Sequence, residues 1–91
     1  MHTKTWHLHV DISEQDDHTR AEAVLRTDAG TELHHVGTAH RRPTDRDVPE
    51  IGDELAVCRA LAGLSHDLLD ASIADIWAND PGTVEPTVRV D

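Results

Sequence analysis

Phenylalanine and tyrosine are absent from this chain, and its aromatic content is limited to Trp6 and Trp77. Any core must therefore be built from Leu, Ile, Val and Ala. Cysteine occurs once, at Cys58, so an internal disulfide is excluded; a reducing compartment is the simplest setting. No apolar run is long enough for a signal peptide or a membrane span, and a cytoplasmic location is expected. Positive charge is scarce, with 8 Lys and Arg against 18 Asp and Glu and a formal charge of −10. An acidic chain of this kind stays soluble and repels phosphate at long range. There is no glycine-rich phosphate loop, no C-x-x-C or H-E-x-x-H spacing, and no carboxylate spacing typical of a catalytic pair. The expectation is a protein that is not an enzyme and holds no cofactor.

Histidine, by contrast, is plentiful. Protonating all eight would cancel eight of the ten net negative charges, so surface charge should change steeply between about pH 5 and 7. The 91 residues suit a single domain, with a core over about 4–79 and a tail over 80–91. A core this small leaves a monomer marginally stable, and a partner subunit would help.

Residues 4–12, KTWHLHVDI, alternate, with Trp6, Leu8, Val10 and Ile12 on one face and His7, His9 and Asp11 on the other. This is the pattern of a half-buried strand. SEQDDH reads as a polar turn. Residues 19–27 alternate again, Ala21, Ala23 and Leu25 against Arg20, Glu22 and Arg26, with Val24 on the polar side. Asp28-Ala29-Gly30 signals a tight turn. Residues 31–41 read as a third strand, with Leu33, Gly37 and Ala39 inward because small residues let a helix approach closely; His35 then shares their face.

From 49 to 78 the period lengthens to that of a helix. Ile51, Leu55, Cys58, Leu61, Ala62, Ser65, Leu68, Leu69, Ser72, Ile73 and Ile76 recur at three- and four-residue steps. Pro49 suits the first turn, Glu50, Asp53 and Glu54 suit the positive end of the dipole, and Asn79-Asp80-Pro81-Gly82 reads as a stop. The tail alternates weakly through Val84, Val88 and Val90 and is broken by Pro86. The expected fold is α+β, with two layers in the order β-β-β-α: a three-stranded antiparallel meander packed by one long C-terminal helix. Leu8, Val10, Leu25, Leu55, Leu61 and Leu68 are expected between the layers.

The segments WHLHVDI, TRAEAVLRT and TELHHVGTAHRRPTDRDVPEIGDELAVCRALAGLSHDLL, above all Pro43, Asp45, Arg46, Val48 to Leu55 and Arg59 to Leu61, carry a family resemblance. They resemble a family of small bacterial proteins of unknown function with a double-stranded-RNA-binding-domain-like fold. His34 and His35 stand where that family tends to have a small or apolar pair. The resemblance implies a fold and no reaction. Through the fold it also implies kinship to ribosome-hibernation factors, and hence a place in stress or dormancy.

Arg41, Arg42 and Arg46, in HRRPTDRDVPE, are the candidate partner contacts. A duplex-RNA domain places lysines at the start of its last helix; here Glu50, Asp53 and Glu54 occupy that start and repel phosphate. The three arginines are expected to pair with neighbouring acids and order the loop, and autonomous binding of duplex RNA or DNA is not expected. His7, His9, His34 and His40 on the open face, with Glu22 between outer strands about 9–10 Å apart, raise a metal reading. Solvated polar residues are the plainer reading, and no metal site is assigned. Ser65-His66-Asp67 is a triad in letters only, since consecutive helical residues point about 100° apart. Ser65 is expected beneath the helix, His66 and Asp67 in solvent, and Cys58 in the core. The expected partner is a second copy of the chain, meeting through the open sheet or the tail, and the alternative is docking on the ribosome.

Overall fold

The computed structural model describes residues 1–42 and 44–79. Three strands, β1 (His7–Gln15), β2 (His18–Arg26) and β3 (Glu32–His40), precede one helix, α1 (Pro49–Asn79). The sheet is antiparallel in the order β1-β2-β3, so the α+β, β-β-β-α reading holds. The proposed helix stop beyond Asn79 and the tail valines lie outside the described residues.

The turn expected over SEQDDH shrinks to Asp16 and Asp17, because Gln15 pairs directly with His18. Asp16 takes a φ of 55°, a left-handed conformation that Asp tolerates in a two-residue hairpin. Ser13, Glu14 and Gln15 are polar yet belong to the strand, where ladder pairing rather than burial holds them. The second turn closes through a bond from the Thr27 amide to the Thr31 carbonyl (2.9 Å), and Gly30 supplies its φ of 83°.

Register places Leu8, Val10, Ile12 and Glu14 beside Leu25, Ala23, Ala21 and Thr19, which in turn lie beside Leu33, His35, Gly37 and Ala39. This is the face toward α1, and the inward parity expected for β3 is the one observed. Its centre is made of small residues, so the helix comes within backbone contact. A Cβ added at Gly37 would overlap the Ala56 carbonyl and the Ala60 amide nitrogen.

That close approach decides which side of α1 is buried, and it overturns the expected face. The core consists of Ala21, Ala23, Leu25, Ala39, Ala56, Ala60 and Leu64. Ala56, Ala60 and Leu64 lie roughly half a turn around the helix from the stripe picked out in the sequence. Leu55 (44 % exposed) and Leu61 are outside, as is Leu8 (51 %), while Val10 and Leu68 are half-buried. Of the six expected core residues only Leu25 is buried. Cys58 and Ser65 are also exposed. The cause is steric: leucines cannot enter a gap set by Gly37 against helix backbone, so alanines fill it.

The helix lies over β2 and β3 and barely reaches β1, which leaves Leu8 and Ile12 exposed while Val10 is half-buried. Nine-residue strands span about 30 Å and a 31-residue helix about 46 Å, so roughly ten residues of α1 outrun the sheet.

Candidate functional site

His35, which had no role in the sequence reading, fills a notch in the helix. A Cβ at Gly63 would overlap its ring, and its Nδ1 lies 2.9 Å from Asp67 Oδ2. A carboxylate only accepts, so His35 donates through Nδ1. Asp67 is therefore a half-buried partner of the sheet and not a solvated residue. Its spacing to Gly63, one helical turn, was present in the sequence; the signal was the inward parity of His35.

The open face does not assemble the histidines. Val24, not Glu22, stands between His9 and His34, and Glu22 stands between Asp11 and Val36. His18 and His40 pack ring to ring with centroids 4.3 Å apart. Among the described residues no group of three or more His, Cys, Asp or Glu is placed to hold a metal ion.

The arginine loop divides its duties. Arg41 donates from Nε and Nη2 to Asp17 Oδ1 at 3.1 and 2.7 Å, from its amide to the Asp17 carbonyl at 2.8 Å, and from Nη1 to the Asp45 carbonyl at 3.1 Å. Asp45 in turn accepts from the Arg42 amide (3.0 Å) while its own amide donates to the Arg42 carbonyl (3.0 Å). Arg41 thus ties the hairpin tip to the loop before α1. The side chains of Arg42 and Arg46 are exposed and form no ion pair among the described residues. Pairing with acids, expected of all three arginines, is thus seen among the described residues for Arg41 alone, and the loop it orders forms one wall of a cleft of about 410 Å³ between the hairpin tip and the start of α1.

A second candidate surface is the outward side of α1. Residues 51, 55, 58, 62, 65, 69, 72 and 76 are Ile, Leu, Cys, Ala, Ser, Leu, Ser and Ile, in strict alternation of four- and three-residue steps. That is the seven-residue repeat of a helix–helix seam. Ile51, Leu55 and Ile76 are exposed along it, with Trp77 beside them. Among the described residues no helix is long and apolar enough to cross a membrane, so the exposed stripe is not a spanning segment.

Comparison with known proteins places the chain. The uncharacterised protein Mb1767 of Mycobacterium bovis is 48% identical over 73 residues, 80% of this chain and 77% of its own length. Rv2632c of Mycobacterium tuberculosis, also uncharacterised, is 43% identical over 76 residues, 84% of this chain and 81% of its own. The crystal structure of Rv2632c superposes with a TM-score of 0.78 at 41% identity, covering 94% of this chain and 98% of that one. The family model described as Rv2632c-like matches residues 4–85, and the chain belongs to the Rv2632c-like family.

Proposed function

We propose that the protein is a non-enzymatic interaction module that works as a homodimer, with the outward side of α1 as its contact. The observation that carries this reading is the position of the large side chains: five of the seven core residues are alanines, while Ile51, Leu55 and Ile76 lie outside. The outer face of the sheet is a poorer contact, being mostly histidine and charge with only Val24 and Val36 apolar.

The seam is self-complementary under a two-fold axis with the helices antiparallel. Ile51 then meets the partner's Ile76, Leu55 meets the partner's Ser72, Cys58 meets the partner's Leu69, and Ala62 meets the partner's Ser65. Large side chains oppose small ones in the middle layers, whereas a parallel pairing would set Leu55 on Leu55 and Ser72 on Ser72. Antiparallel helices also align opposite dipole ends. Each Leu or Ile fully buried this way contributes about 1.5–3 kcal/mol, a large addition for so small a core.

Substituting Leu69→Cys tests the pairing, because Cys58 then faces the new thiol across the seam. Mild oxidation is expected to give a covalent dimer with two inter-subunit disulfides. A chain that stays uncrosslinked, or crosslinks no faster than one carrying the cysteine at Asp70, contradicts it. Docking on the ribosome, and with it a role in stress or dormancy, rests on resemblance of fold. Co-sedimentation with ribosomes at low salt is the observation that would favour it over a protein-only module.

A further inference from the structure

We infer that the cleft between the hairpin tip and the start of α1 is a binding site for a cation carried on an apolar chain, an alkylammonium group. The site shares Ile51 and Leu55 with the proposed seam, so it is tested on a chain carrying Ile76→Glu, a change that opens the seam and lies outside the cleft. Its volume of about 410 Å³ lies within the range of small-molecule pockets.

The floor is apolar. Ala39 from β3, Val48 from the loop, and Pro49, Ile51 and Leu55 from α1 line it. These form a surface for a hydrocarbon chain and give no reason to bind an ion alone. The rim is acidic. Glu14, Asp16, Asp17, Asp45 and Asp47 line it, against Arg41, Arg46 and the imidazole of His40. Arg41 already shares its charge with Asp17 at 2.7 Å, with Asp47 4.0 Å away. The start of α1 adds a positive field, but a helix end is equivalent to only about half a unit charge. Carboxylates therefore dominate the potential, and a cation is the favoured guest.

A second observation, independent of the acids, concerns Thr19. It is a polar residue at 6 % exposure on the core face of β2 and also lines the cleft. Among the described residues no hydrogen bond is made to its hydroxyl. No buried side-chain oxygen is left sealed without a partner, so this hydroxyl keeps an opening, and the opening is the cleft. Gly52 makes the room: a Cβ there would lie 2.9 Å from Thr19 Oγ1. An ammonium N–H entering the cleft could donate to Oγ1, whose lone pairs no described residue uses. The apolar floor, the acidic rim and the open hydroxyl thus call for one guest, an ammonium head on an alkyl tail.

Titration of the full-length Ile76→Glu chain with hexylammonium, followed by amide chemical shifts, tests the assignment, with hexanol and hexanoate as probes of equal chain length. Hexylammonium is expected to move the amides of Thr19, Ala39, Gly52 and Leu55 together and to saturate. The neutral and anionic probes should bind roughly tenfold more weakly or less, a difference of about 1.4 kcal/mol. Thr19→Val keeps the side-chain shape and should weaken hexylammonium several-fold without lowering thermal stability. Glu14→Gln with Asp47→Asn, both exposed, should weaken it and remove its salt dependence. Equal binding of hexanol, shifts spread without saturation over the acidic surface, or unchanged affinity in both variants would overturn the proposal.

Discussion

Gly37 sets the spacing between sheet and helix. Its missing Cβ lets the Ala56 and Ala60 backbone rest on β3, which favours the small residues Ala21, Ala39, Ala56 and Ala60 in the core beside it. Gly37→Ala is expected to push the layers apart and cost about 1–3 kcal/mol, the usual penalty of overpacking; chemical denaturation measures it. His35 and Gly63 form a second such fit. The weak point that Gly63 creates in the helix, about 1 kcal/mol against Ala, is offset by the ring that enters the notch. At the periphery, Trp6 Nε1 donates to Asp28 Oδ1 at 2.8 Å. This bond lowers the Asp28 pKa, with Lys4 adding a smaller attraction. A carboxylate whose folded pKa is depressed contributes stability that is present above its unfolded pKa and lost as pH falls through the folded one. Trp6→Phe should return Asp28 to the ordinary carboxylate range in an NMR titration, and an unchanged midpoint would assign the shift to another cause.

Among the elements, the strands were legible in the sequence and the helix face was not. Alternation in KTWHLHVDI and TRAEAVLRT marked the inward residues of β1 and β2 correctly, and Gly37 with Ala39 marked those of β3. The helix was found within one residue of its bounds. Its buried side was missed because periodicity reports where apolar residues recur, and α1 has two such sides. One, with Ala56, Ala60 and Leu64, is suited to a close sheet; the other carries Ile51, Leu55, Leu69 and Ile76 among smaller residues in a seven-residue repeat. The hydrophobic signal favours the second, while the small residues of the sheet select the first. The interleaved acids made pairing in the arginine loop legible, though among the described residues it is realised by Arg41 alone, and the 24-residue reach from Arg41 to Asp17 was not legible. It depends on β1 and β2 running on to a two-residue turn. The corrected face makes a direct comparison possible. Leu64→Ala should cost about 2–5 kcal/mol, and Leu61→Ala clearly less at concentrations where the chain is monomeric. A larger loss for Leu61 would restore the original face.

Considered as a whole, the molecule is a thin two-layer sheet-and-helix unit in which much of the apolar surface faces outward. Its charge of −10 and the acids around Arg41 and at the start of α1 oppose phosphate. Plain duplex RNA of about 16 base pairs, the span a double-stranded-RNA domain covers, is therefore expected to bind no better than nonspecifically at physiological salt. Submicromolar, salt-sensitive binding in a gel-shift assay would contradict this. The partner proposed for the outward seam of α1 is a second copy, whose large and small layers would match its own. Sedimentation equilibrium at micromolar concentration, on the chain and on its Leu55→Glu variant, tests that pairing most directly. The chain should sediment at about twice its 10.0 kDa mass, and the variant, with a charge in the seam, at the monomer mass with its fold retained. A monomeric parent chain, or a variant that remains a dimer, would contradict the helix-to-helix assembly.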